Sequence, residues 1–403
     1  MASCEASNDG SQPTATTQPQ PAYAAKLQTQ VLDLMKADAI PGVIVLVKSP
    51  KGDWSATFGT AEIGKTVPMK IDDYFRIGSN TKPMTVTLIL QLVQEGKLSL
   101  DDPISKYRPD VPNGENITIA QLAKMRSGLY AYTSDPEFNA TIDREPRKAW
   151  TPDELLAIAF KHPPDFAPGE HFEYSNTNTV LLGTVIEKLT GMSVPEAFQK
   201  RIFEPLKVTH SLFPESTDSR IPDPHPQGYQ FGTNAETLDT YALPPAQLPA
   251  ALDGSLKPIN FTDANPSFSW TAGAAISTAD DLAVFVKALA DGSLLDEKTQ
   301  KVRLDSVEAV SPGRPNGLGY GLGMVAFGPT IFGHDGQIPG YSSFMAADAT
   351  RDTTIIVAAN LAASPGNGAN AATELAKLFL VELLGWTPPG APPAATGTTT
   401  TTG

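Results

Sequence analysis

The chain is poor in the residues that cross-link or bind metals. It has a single cysteine, Cys4, so no intramolecular disulfide can form. Its five histidines are scattered over positions 162 to 334. No His-Glu-x-x-His pattern or Cys/His cluster accompanies them, so neither a metal site nor another cofactor is expected. No uninterrupted apolar run reaches the roughly 18 residues of a membrane-spanning helix. Positive charge is also scarce: 30 Lys and Arg stand against 44 Asp and Glu, a net charge of −14. That balance argues against nucleic acid or an anionic membrane surface as a partner and names no substrate.

Apolar residues, proline and glycine are plentiful. Hydrophobic residues make up 41 % of 403, enough for a substantial core. The 36 prolines and 32 glycines imply many loops between short elements. At the start, Ala2-Ser3-Cys4 precedes a polar tether that runs to about Pro21. Two readings stay open there. One is the mature end of a bacterial lipoprotein, with lipid on Cys4 tethering the protein to the cell envelope. The other is a disordered tail with an incidental cysteine, on a protein of the envelope or a secreted one. The Pro/Thr/Gly-rich end from 387 to 403 reads as a disordered tail.

Periodicity between the tails places helices over 23–38, the segment after Ser79, 117–125, 152–160, 178–189, 195–202, 282–289 and 371–384. Thr118 is a plausible N-cap for the third of these. Strands are expected at 43–47, 54–59, 74–77, 320–326, 330–333, 341–348 and 353–358. Residues 208–266 show little periodicity and read as a long loop region over a cleft. The fold class is α/β (α+β): an antiparallel sheet flanked by helices and built from both chain ends. The expected organisation is a tether over 1–22, one domain over 23–386 and a tail over 387–403. Within the domain, about 23–99 and 267–386 form the α/β part, and about 100–266 form a mainly helical insert.

Ser79-Asn80-Thr81-Lys82 is the most informative stretch. A serine in the first turn of a helix has the lysine at i+3 on its own face. A hydroxyl becomes nucleophilic when a neighbouring base takes its proton, and a lysine with a lowered pKa can be that base. By spacing alone the pair is also an ordinary solvated helix start. Tyr174-Ser175-Asn176 and His334-Asp335-Gly336 add a phenol, an amide and an imidazole. Taken singly, Tyr174 reads as a packing tyrosine, Asn176 as a helix cap and His334 as a structural histidine.

In this order the motifs resemble those of the penicillin-recognising serine hydrolases. The nearest group is the class C β-lactamase and serine D-alanyl-D-alanine carboxypeptidase type, with its related esterases and aminopeptidases. The likeness runs from about residue 26 to 385. It is carried by Phe75-Arg76-Ile77-Gly78-Ser79-Asn80-Thr81-Lys82, Leu98-Ser99-Leu100-Asp101-Asp102-Pro103, Ser127-Gly128-Leu129, Tyr174-Ser175-Asn176 and Gly333-His334-Asp335-Gly336. The resemblance implies a β-lactamase/transpeptidase-like fold and an acyl-enzyme on Ser79. Lys82 would help deprotonate Ser79, and Tyr174 would exchange protons with it and with the leaving group. Asn176 would hold the substrate amide and steady Lys82. His334 would supply charge or a hydrogen bond near Tyr174. The backbone N–H groups of Ser79 and Gln337 would form the oxyanion hole.

One position departs from that pattern. Asp335 stands where such enzymes carry Thr or Ser to receive a substrate carboxylate, beside Gly336 in the same presumptive subsite. Two like charges about 5 Å apart at an effective dielectric of about 20 repel by roughly 3 kcal/mol. Alternation along a strand could instead turn Asp335 away. If Asp335 faces the cleft, neutral esters, amides or amine-bearing substrates become more plausible. Three functions therefore stay open: a β-lactamase or D,D-carboxypeptidase, an esterase or small-amide hydrolase on the same nucleophile, and a non-catalytic, surface-tethered binding protein. The first two take a small-molecule or peptide substrate.

Overall fold

The computed structural model describes residues 20–314 and 316–389. Cys4, most of the N-terminal tether and most of the C-terminal tail lie outside the described residues.

Twelve strands occur among the described residues. In chain order they are β1 (Gly42–Lys48), β2 (Trp54–Gly59), β3 (Phe75–Arg76), β4 (Tyr229–Gln230), β5 (Ile259–Asn260), β6 (Ile276–Ser277), β7 (Glu308–Ala309), β8 (Gly319–Tyr320), β9 (Val325–Ala326), β10 (Ile331–Ile338), β11 (Tyr341–Asp348) and β12 (Thr353–Ala359). Eight of them form one antiparallel sheet in the order β2-β1-β12-β11-β10-β9-β8-β7. Both chain ends thus feed one sheet, and no strand between 60 and 307 joins it. The pairs β3-β6 and β4-β5 stand apart.

Alternation along the strands builds two cores. Val43, Val45 and Val47 of β1, with Phe344, Ile355 and Val357, pack against the helices Ala24–Ala37 and Ala371–Leu384. Ile44 and Leu46, with Met345, Ile356 and Ala358, face the opposite way. They share a core with the helices Thr81–Gln94, Asn176–Thr190 and Ala279–Asp291. The helix Thr81–Gln94 is buried from Thr81 to Leu92, as its nearly continuous apolar sequence demands.

Several expected elements form close to their predicted bounds. Thr118 caps Ile119–Ala123 in a full capping box with Gln121. The helix over 195–202 instead runs Val194–Phe198 and then widens into a π-type turn, Gln199–Phe203. Two strands differ more. Residues 320–326 are not one strand but the tight hairpin β8-β9, turned at Gly321–Gly323. Gly323 has φ +72°, and a Cβ there would stand 2.4 Å from Val86 Cβ. The strand expected to end at Gly333 continues to Ile338, because β11 pairs with it along its whole length. That extension puts His334 and Asp335 within a strand, as the alternation expected at Asp335 requires.

Candidate active site

Ser79 sits in a short 3-10 turn, Gly78–Asn80, that feeds the helix Thr81–Gln94. Gly78 has φ +52°, and a Cβ there would lie 2.7 Å from Gln337 N. A Cβ on Gly336 would lie 1.9 Å from Ile77 O. These two glycines let β10 press against the Ser79 turn and bring the Gln337 and Ser79 backbones side by side. Ser343 fastens the joint, donating from Oγ to Ile77 O at 2.7 Å and accepting from Asn80 Nδ2 at 2.8 Å.

Lys82 is fully buried. Its Nζ lies 2.8 Å from Ser79 Oγ, 2.6 Å from Asn176 Oδ1 and 2.8 Å from Ala272 O. Asn176 turns its Nδ2 to Thr133 Oγ1 at 3.1 Å, which leaves Oδ1 facing the lysine. Two of the three neighbours can therefore only accept. A neutral amine has two N–H donors for them and one lone pair, which then faces the serine hydroxyl. Burial pushes the Lys82 pKa well below its ordinary value, against an opposing pull from Asp335.

Three packed segments set this geometry. The turn Trp270–Ala272 presents Ala272 O. Thr85 Oγ1 donates to Thr271 O at 2.8 Å, binding the turn to the nucleophile helix. Gly183 lets the helix Asn176–Thr190 come close, since a Cβ there would stand 2.5 Å from Thr271 Oγ1. Asn176 is the first residue of that helix, and no side chain caps its N-terminus. The cap reading of Asn176 therefore gives way to the Lys82 contact.

Tyr174 lies against the same group. Its ring centroid is 4.7 Å from Lys82 Nζ, and the Ser79 side chain is near enough to its hydroxyl to draw the phenol pKa down. The ring is 39 % exposed along the cleft, while the hydroxyl end is enclosed. Burial drives the phenol pKa well up; Tyr320 and Asp335 push it further, and Ser79 opposes them.

His334 is buried on β10, with its ring centroid 6.1 Å from that of Tyr174. Nδ1 lies 2.5 Å from Asp335 O, and Nε2 lies 3.2 Å from the Tyr320 hydroxyl. A carbonyl can only accept, so Nδ1 carries the proton and Nε2 accepts from Tyr320. Both nitrogens are thus engaged away from Tyr174. Burial lowers the His334 pKa to about 4, so the imidazole is neutral at pH 7.

Asp335 pairs across the sheet with Phe344, on the face of the terminal helix, and its Oδ2 accepts from Thr373 Oγ1 of that helix at 3.2 Å. It still borders the cleft, because β9 covers β10 only at Phe332 and Gly333. Gln337 lies two residues on, along the same open edge.

The cleft measures about 440 Å³ and holds Ser79, Tyr174, Asn176, Asp335 and Gln337 in its wall. Gly336, the residue between the last two, is covered by Ile77 and Ser343. Ala131, Phe138, Ile142 and Phe268 give its wall an apolar patch, interleaved with Thr133, Ser134 and Asn139. Tyr132 backs it, edge-on to Phe138 at 5.2 Å and bonded from its hydroxyl to Phe268 O at 2.9 Å. Gln230, Asn234 and Tyr241, from the long segment over 208–266, close the rim. Sequence reasoning missed Thr133, Ala272, Tyr320 and the apolar patch. A backbone carbonyl such as that of Ala272 leaves no sequence signal, and Phe138 lies in a helix, Pro136–Arg144, whose Asp135 cap and Pro136 were legible.

The Beta-lactamase family model matches residues 27–378. The chain belongs to the Beta-lactamase family. Its fold is similar to that of a D-stereospecific amidohydrolase from Streptomyces sp., with TM-score 0.74 and 31 % identity, covering 92 % of this chain and 100 % of that one. A D-amino acid amidase from Ochrobactrum anthropi SV3, in complex with L-phenylalanine, superposes with TM-score 0.73 and 26 % identity, covering 88 % and 98 %. Among curated sequences, Protein flp of Staphylococcus aureus (strain N315) is 28 % identical over 82 % of this chain. The chain spans only 61 % of that relative's length.

Proposed function

We propose that this protein is a serine amidohydrolase that cleaves an amide bearing no carboxylate through an acyl-enzyme on Ser79. One observation carries the reading: Lys82 is buried between two acceptors with its remaining direction on Ser79 Oγ. In the first step the Lys82 amine takes the Ser79 proton as Oγ bonds to the carbonyl carbon. The oxyanion then rests on the Ser79 and Gln337 N–H groups, a contribution worth about 10²–10³ in rate per donor in comparable sites. When the C–N bond breaks, Tyr174 gives its proton to the departing nitrogen and recovers one from Lys82. Water then repeats the sequence on the acyl-enzyme and frees Ser79. Lys82 is the cation closest to the Tyr174 phenol, since His334 is neutral and turned aside.

The choice of an amide without a carboxylate rests on Asp335. Among the described residues lining the cleft it alone carries a charged side chain. A terminal carboxylate, as in a D-alanyl-D-alanine peptide, would meet a like charge and no cation. The apolar patch suits an aromatic or aliphatic acyl side chain, and the similarity to proteins named as D-amino acid amidase and D-stereospecific amidohydrolase favours a D-aminoacyl group.

The test is ammonia release from D-phenylalaninamide beside D-alanine release from an acylated D-alanyl-D-alanine peptide. The amide should be favoured by at least about 100-fold in kcat/KM, the scale of the charge repulsion, and Ser79→Ala should abolish both reactions. Faster cleavage of the peptide would overturn the amide reading.

A further inference from the structure

Among the described residues, the cleft wall carries one charge, at Asp335, and one apolar patch, and the reaction assigns a different half of the substrate to each. Once the carbonyl oxygen lies on the Ser79 and Gln337 N–H groups, acyl chain and leaving group must diverge. The departing nitrogen must meet a proton donor, and Tyr174 is the phenol at Ser79. Asp335 belongs to that side of the cleft: its Oδ1 lies 3.7 Å from Nδ1 of His334, whose ring centroid is 6.1 Å from that of Tyr174 and 5.8 Å from that of Tyr320. The apolar patch of Ala131, Phe138, Ile142 and Phe268 is left for the acyl half.

Asp335 is also held in place. Oδ2 is bonded to Thr373, and Oδ1 lies 3.7 Å from His334 Nδ1, whose proton already goes to Asp335 O. The side chain is 42 % exposed, toward the cleft it lines. Oδ1 is therefore a fixed acceptor beside the path of the leaving group.

We propose that Asp335 selects the leaving group by charge, favouring amides whose amine half carries a cation and rejecting those whose amine half carries a carboxylate. This rests on the amidohydrolase reading and adds the chemistry of the amine product. The bond broken is the amide C–N bond; the amine leaves with the Tyr174 proton, and its second, cationic group pairs with the Asp335 carboxylate.

Three D-phenylalanyl amides of matched length test it, made from 1,3-diaminopropane, propylamine and β-alanine. Their leaving groups are cationic, neutral and anionic. The expected order of kcat/KM is cationic, neutral, anionic, with a total span of about 100-fold at low salt that narrows as salt is added. Asp335→Asn should compress the span to about threefold, and Asp335→Lys should reverse the order. Ratios between substrates are read, so a general change in rate does not enter. Labelling of Ser79 by a neutral fluorophosphonate shows that each variant keeps its site. Turnover of all three amides at equal rates, or a span that survives in Asp335→Asn, overturns the proposal alone. Absence of turnover for all three, with Ser79 still reactive, overturns the amidohydrolase reading and the proposal with it.

Discussion

The Ser79 turn and the strand that faces it share a backbone joint but differ in how their side chains are held. At 78–82 the chain is buried, the lysine is enclosed by three partners, and two glycine contacts leave no room for a shift. At 335–337 the backbone shares those glycine contacts, but β9 does not reach it, the Asp335 and Gln337 side chains are half-buried, and Asp335 is tethered through one oxygen. In the proposed reaction the centre at Ser79 and Lys82 is thus over-determined, whereas the side chains that would meet the substrate are open to change. A fold of this kind can keep its nucleophile and alter its substrate by editing the open edge.

The comparison breaks most visibly at Lys82. Lys82→Met keeps the volume and removes the lone pair, so hydrolysis should fall by at least about 10³-fold, the range of general-base loss. Steady-state kinetics on the preferred amide checks this. A loss under tenfold would mean that the enclosed lysine is a packing residue.

Arg76 extends the locked side. It is fully buried and donates from Nη2 to Ser219 O, Thr262 O and Ala264 O at 2.7, 3.2 and 2.8 Å. Burial lowers its pKa to about 10, so it stays charged at pH 7. One guanidinium thereby pins the long segment that supplies Gln230, Asn234 and Tyr241 to the rim. Arg76→Met would strand three carbonyls and should cost about 2–4 kcal/mol of stability, measured by denaturant unfolding.

His334 is the buried member of the open strand. Its pKa is about 4 in the folded protein and about 6.5 in the unfolded chain. Between those values the unfolded state binds more protons, so stability rises with pH and is lost as pH falls from about 6.5 to 4. The loss from this group reaches at most about 3 kcal/mol. Urea unfolding of wild type and His334→Gln across that window should show a shallower slope in the variant.

The smallest effect is expected at the rim. Tyr241 is 55 % exposed and has φ +54°. Tyr241→Ala should change KM by about twofold and leave stability within about 0.5 kcal/mol, as at exposed positions generally.

The same contrast explains what the sequence disclosed. Ser79 and Lys82 are neighbours through helical spacing, so their contact could be read locally. Helices such as Ala24–Ala37 and Ala371–Leu384 carried their own periodicity. The sequence sets the far bound of β10 short, at Gly333, because the pairing with β11 that carries it to Ile338 is a tertiary contact. The pairing of Asp335 with Thr373, 38 residues away, could not be read locally either. The proximity of Tyr174 and Asn176 to Lys82 could not be read from spacing, since phenol and amide are ordinary core residues until the fold brings them together.

The most direct measurement of the central claim is the site and rate of modification by a neutral fluorophosphonate, followed by peptide mass spectrometry across pH. The account predicts one adduct, on Ser79, forming faster as pH rises and Lys82 loses its proton, and forming far more slowly in Lys82→Met. An adduct on another serine, or equal labelling of Ser79 with and without Lys82, would contradict it.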